Sequence, residues 1–148
     1  MKLFRKTEIQ ALEQAGEREG VSLSEMMDRA GASLARLAVG SWGLPSRAAL
    51  LCGRGNNGGD GFVCAVELAG MGVSCTVILL HGEPGTELSM AAFNRLPESV
   101  RVLGPGAEAE AAIREAGLIV DCVYGFGFKG ELDGVSAEYL GIANESHC

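Results

Sequence analysis

Residues 48–61 constrain this chain more than any other stretch. Ala48-Ala49-Leu50-Leu51-Cys52 is apolar at every position and breaks into Gly53-Arg54-Gly55-Asn56-Asn57-Gly58-Gly59-Asp60-Gly61, after which residues 62–68 follow a helical pattern. A strand that is apolar on both faces needs helices covering both faces. A glycine-rich turn that runs into a helix presents backbone N–H groups and the positive end of the helix dipole to an anion. The string satisfies G-x-G-x-x-G after a strand and before a helix, the context that a dinucleotide-binding turn requires. The same pattern also serves packing alone, because glycine lets backbones approach closely.

The remaining chain repeats the alternation. Strands are predicted over residues 48–52, 73–80, 100–103 and 118–124, and helices over 59–71, 87–96, 107–116 and 135–143. Strands apolar on both faces and separated by helices predict a mainly parallel sheet in a three-layer α/β/α arrangement. Two helices precede it. Thr7 and Gln10 fit a capping box for a helix ending near Gly20. A second helix starts near Ser22 or Ser24 and ends around Gly40, with Met26, Met27, Ala30, Leu34, Leu37 and Ala38 as its apolar face. At 148 residues one domain is expected.

A formal charge of −7 argues against nucleic acid or an anionic membrane as partner. No apolar run approaches the ~20 residues of a membrane span, and the polar start of the chain has no signal-peptide pattern. Five cysteines without a C-x-x-C pair read as reduced, buried thiols, which points to a cytoplasmic protein.

Three places carry candidate chemistry. Asn56, Asn57 and Asp60 put two amides and a carboxylate into the glycine turn, a set suited to sugar hydroxyls, a hard cation or proton transfer, and equally able to form Asx-turns that cap the helix. Asp121 interrupts the apolar run 118–124, where a buried carboxylate needs a hydrogen bond, an opposite charge or a cation. Residues 125–130 form a glycine-rich loop in which Lys129 is placed to meet a phosphate. The acidic residue expected at the end of the second strand for an ordinary dinucleotide enzyme is represented only by a late Glu83, which weakens an oxidoreductase reading.

Together these residues resemble the YjeF N-terminal family, the NAD(P)H-hydrate epimerases. The string Gly53-Arg54-Gly55-Asn56-Asn57-Gly58-Gly59-Asp60-Gly61 is similar to the family's first motif. The string Val120-Asp121-Cys122-Val123-Tyr124-Gly125-Phe126-Gly127-Phe128-Lys129-Gly130 is similar to its second. The opening helices also match, with Ala11-Leu12-Glu13 and Met26-Met27-Asp28-Arg29-Ala30-Gly31. The resemblance implies a Rossmann-like fold and interconversion of the R and S forms of hydrated NADH and NADPH, so that a dehydratase, fused or separate, restores both. It implies that Asn56, Asn57, Gly58, Gly59 and Asp60 contact the hydrated dinucleotide, joined by Gly125, Phe126, Gly127, Phe128, Lys129, Gly130 and Glu131 from the second loop. It further implies a potassium ion on Asn57 and Asp121, and a homodimer.

The resemblance departs in two places. Gly127 stands where the family often has a hydroxyl residue. The chain stops at Cys148, before a strand that in the family ends in Asp-x-Pro-Ser-Gly and supplies the main acid–base aspartate. Residues 1–148 are therefore expected to be one epimerase-type domain lacking its C-terminal part, with Asp60 as the remaining acid–base candidate and weak turnover on its own. A non-catalytic nucleotide-binding or scaffold module of the same fold is the alternative.

Overall fold

The computed structural model describes residues 22–124 and 130–146. The expected helix over residues 7–20 and the loop residues Gly125, Phe126, Gly127, Phe128 and Lys129 lie outside the described residues. Helix α1 (Leu23–Trp42) leads into strand β1 (Arg47–Cys52), helix α2 (Asn56–Gly70) and strand β2 (Ser74–Leu79). Helix α3 (Glu87–Phe93), strand β3 (Arg101–Leu103), helix α4 (Ala107–Glu115), strand β4 (Leu118–Cys122) and helix α5 (Gly134–Glu145) complete the order.

The four strands form one parallel sheet in the order β3-β2-β1-β4, the Rossmann-like arrangement expected. Alternate residues of β1 feed two separate cores. Ala48, Leu50 and Cys52 pack with Phe62 and Leu68 of α2, Leu34 of α1 and Ala92 of α3. Ala49 and Leu51 pack with Ile113 of α4 and with Tyr139 and Ile142 of α5. Leu50 and Leu51 are fully buried, so each contributes on the order of 2 kcal/mol by leaving water. This double burial is why β1 shows no polar alternation.

The chain runs outward from β1 to β2 to β3, then crosses back to place β4 on the other side of β1. The order therefore reverses between β1 and β4, and ligands of such sheets bind outside the strand ends at this switch. Gly53, just past β1, donates its N–H to Cys122 O at 3.0 Å and so ties the two strand ends together.

Most elements fall within a few residues of their sequence-based bounds. Ser22 caps α1, its hydroxyl accepting from Glu25 N at 3.2 Å. One difference matters for the site: α2 begins at Asn56, not at Gly59, with Gly55 as its N-cap. Two consecutive glycines disfavour a helix on intrinsic propensity. Here close packing decides instead. A Cβ on Gly58 would sit 2.1 Å from Gly53 O, and one on Gly59 would sit 2.6 Å from Met27 Cε.

Candidate functional site

The glycines of the 53–61 turn divide into two kinds. A Cβ on Gly53 would lie 1.9 Å from Val123 O, and one on Gly61 would lie 2.8 Å from Cys52 Sγ. These positions, with Gly58, bring β1, β4 and α2 together more closely than any larger residue allows, and Gly59 does the same for α2 against Met27 of α1. Gly55 is different. A Cβ there meets nothing within 4 Å, and its φ of −83° is open to any residue. Neither packing nor backbone conformation calls for glycine at 55. The space beside it, at the N-terminus of α2, is where an approaching anion would need the Cβ to be absent.

The polar side chains of the turn are held individually. Asn56 Oδ1 accepts from Thr86 Oγ1 at 2.6 Å. Arg54 donates from Nε to Glu83 O at 3.1 Å, and its carbonyl accepts from Gly85 N at 2.8 Å. The loop after β2 is thereby fastened to the turn after β1. Asn57 is half-buried and donates from Nδ2 to Tyr124 O at 2.9 Å. That bond turns Oδ1 the other way, because the two amide atoms oppose each other.

Asp60 lies in the second turn of α2 and is only 1% exposed, so it neither caps the helix nor projects from the turn as the sequence had suggested. It borders Cys64 and Cys122. Burial pushes both thiols well up, and the charge of Asp60 adds to the shift in each.

Asp121 sits next to last in β4, paired in register with Leu51. Its Oδ1 accepts from Val123 N at 3.1 Å. Burial raises its carboxyl pKa, and that one backbone donor lowers it only in part. Asn57 and Asp121 are thus anchored to the consecutive residues Val123 and Tyr124, directly after β4. An amide oxygen turned away from its own donor and an incompletely compensated carboxylate form a donor set that fits a hard monovalent or divalent cation. Among the described residues no group of three or more His, Cys, Asp or Glu side chains is arranged for a metal. Of the second loop, Gly130 has φ +121°, a conformation that favours glycine, and Glu131 is exposed.

A polar cluster beside this site was not anticipated. Asp133 caps α5 by accepting from Ser136 N at 2.9 Å. Its Oδ2 also accepts from Tyr124 Oη and Ser136 Oγ and lies 2.9 Å from His81 Nε2. The His81 and Tyr124 rings are 5.6 Å apart, spanning the end of β1. Ser, His and Asp together suggest a nucleophile triad, but the geometry excludes it. Ser136 Oγ and Asp133 Oδ2 both approach Nε2, whereas a triad places them on opposite ring nitrogens. The available sequence signal was Asp133 three residues before Ser136, an N-cap spacing.

Comparisons with known proteins bear on the family and on the fold. Residues 23–148 match the family described as YjeF-related protein N-terminus. The chain is 38% identical to the bifunctional NAD(P)H-hydrate repair enzyme Nnr of Thermofilum pendens, an alignment covering 99% of this chain and 29% of that protein. It is 33% identical to the NAD(P)H-hydrate epimerase of Cenarchaeum symbiosum, covering 82% of this chain and 58% of that one. The chain thus spans less than two thirds of either relative. A crystal structure of the yeast protein ynu0 superposes with a TM-score of 0.74 at 23% identity, covering 99% of this chain and 68% of the yeast chain; at that identity the likeness concerns the fold.

Proposed function

Because the chain belongs to the YjeF N-terminal family, we propose that it is an epimerase domain for hydrated NADH and NADPH, working in nicotinamide cofactor repair. The observation that carries this reading is the convergence of Asn57 and Asp121 on Val123 and Tyr124 at the sheet's switch point, beside the open N-terminus of α2. The dinucleotide lies across the strand ends, its phosphates at Gly55 and the first N–H groups of α2. The dinucleotide contacts proposed are Asn56, Asn57, Gly58, Gly59 and Asp60, joined by the second-motif residues Gly125 to Glu131. Asn57 Oδ1 and Asp121 would hold a potassium ion, which would supply positive charge to the site when bound.

Inversion at the hydrated carbon requires its C–O bond to break and reform. Protonation of the hydroxyl lets it leave as water while the ring nitrogen lone pair fills the gap. Water then adds to the opposite face and gives up a proton, so atoms and electrons balance without a redox partner. A group within hydrogen-bond reach has to give and take that proton. Asp60 is the acid–base candidate of this chain. A dehydratase, fused or separate, would consume the epimer produced. Among the described residues no helix is long and apolar enough to cross a membrane, and a cytoplasmic site of action is part of the proposal.

The test uses protein expressed from the whole reading frame. Purified single epimers of hydrated NADH and NADPH are followed chromatographically, with potassium and with sodium. Potassium-dependent equilibration at an enzyme's rate is expected. A protein that binds no dinucleotide and leaves both epimers unchanged refutes the proposal and favours the scaffold alternative.

A further inference from the structure

We propose that Asp133 is a positioning residue for Asn57, acting through Tyr124. The inference rests on the epimerase reading for its catalytic consequence, but its geometry stands apart from it. Tyr124 is gripped at two places: its carbonyl accepts from Asn57 Nδ2 at 2.9 Å, and its phenol donates to Asp133 Oδ2. Asp133 is itself immobilised from three directions. Ser136 N reaches Oδ1 at 2.9 Å from the first turn of α5. The buried Ser136 hydroxyl reaches Oδ2 at 3.0 Å. His81 Nε2, from the segment after β2, lies 2.9 Å from the same oxygen. One carboxylate therefore references the exit of β4 to the exit of β2 and to α5.

The consequence falls on Asn57. An asparagine amide can rotate by half a turn and exchange its oxygen and nitrogen. The Tyr124 carbonyl fixes the choice, keeping Nδ2 towards β4 and Oδ1 free of that bond. If Tyr124 shifts, Oδ1 loses its defined direction. Neighbours that orient a ligating group commonly alter affinity or activity by about 10–100-fold when removed. The role is distinct from helix capping, and the two can be separated. Asparagine caps helices about as well as aspartate, so Asp133→Asn keeps an acceptor for Ser136 N. It loses the second carboxylate oxygen that receives the Tyr124 phenol.

The experiment compares Asp133→Asn, Tyr124→Phe and the parent protein by three readouts: the Asn57 side-chain amide signals in a nitrogen-15 spectrum without substrate, the melting temperature, and epimerisation kinetics with its potassium dependence. Both variants are expected to move the Asn57 amide signals, lower kcat/KM about tenfold and weaken the potassium response, while Asp133→Asn melts within a few degrees of the parent. Unmoved Asn57 signals with parental kinetics overturn the proposal. A lower melting temperature with Asn57 unmoved also overturns it, leaving Asp133 as a cap alone. If the parent shows no epimerisation, the functional reading fails while the amide signals still decide this one.

Discussion

Two glycines of one turn should respond in opposite ways to the same methyl group. In Gly53→Ala the new Cβ would lie 1.9 Å from Val123 O, more than an ångström inside ordinary contact. Gly53 cannot recede, because its N–H is bonded to Cys122 O at 3.0 Å, and Val123 is buried against the opposite core. Overpacking of this kind costs about 1–3 kcal/mol. Alanine's lower unfolded-state entropy returns about 0.4–1 kcal/mol, so a net loss of about 1.3 kcal/mol is a fair centre. With an unfolding entropy of about 2.1 cal/mol/K per residue, a chain of 148 residues melts about 4 °C lower. Gly55→Ala meets no atom within 4 Å and keeps a permitted φ of −83°. The entropy gain there roughly offsets alanine's weaker capping, and the melting temperature should stay within about 2 °C. Its effect should appear in binding, because the methyl group occupies the space in which a phosphate approaches the α2 N–H groups. Calorimetric titration with NADPH should show affinity reduced by about tenfold or more in Gly55→Ala. Parental affinity in a folded Gly55→Ala protein refutes the phosphate-cradle reasoning. Parental stability in Gly53→Ala refutes the account of why β1 and β4 meet so closely.

Three further outcomes follow from the same geometry. Potassium at ten times its dissociation constant should stabilise the parent by about 1.4 kcal/mol. Asp121→Asn should remove that response in a thermal-shift assay while leaving the cation-free protein no less stable, since burial opposes the charged form of Asp121. The Tyr124 hydroxyl, then the Ser136 N–H, hold the Asp133 carboxyl below the usual carboxylate range. A depressed pKa gives stability that is complete above the unfolded value near 3.9 and is lost as pH falls towards the folded one. Melting curves from pH 5 downwards should therefore show an acid loss that Asp133→Asn flattens. Burial raises the pKa values of Cys52, Cys64 and Cys122 and pushes the Cys75 thiol up to about 11. None of the four should react with a thiol reagent at pH 8 until denaturant is added, and rapid native labelling would contradict their burial.

The sheet was legible in the sequence because β1, β2 and β4 are buried on both faces, and such strands leave an apolar run that no loop imitates. The parallel direction followed from the intervening helices. What the chain pattern does not contain is which edge β4 joins. That depends on the crossover through α4, whose apolar face carries only Ala109 and Ile113 as buried residues. The site was legible as a residue list and less so as an arrangement. Asn57 stood out as an amide in the glycine turn, and Asp121 because a carboxylate is costly in apolar surroundings. Asp133, Ser136 and His81 were silent, since each is ordinary in its own segment and acquires meaning only when the ends of β2, β4 and α5 are brought together.

The start of α2 has the largest consequence for the chemistry. Read as a turn, residues 56–60 present Asn56, Asn57 and Asp60 to the same solvent-facing loop. Read as the first turns of a helix, they are distributed by the helical period. Asn57 and Asp60, three apart, share a side, and Gly61, four from Asn57, shares it too. A Cβ at Gly61 would come within 3.0 Å of Cys122 Cβ, which identifies that side as the one facing the end of β4. Asn56, one position round, instead meets Thr86 beyond β2. The helix thus sorts the turn into a residue that fastens the neighbouring loop and a pair directed at β4, with the carboxylate one turn deeper than the amide. Asp60 is thus held within the protein, 1% exposed.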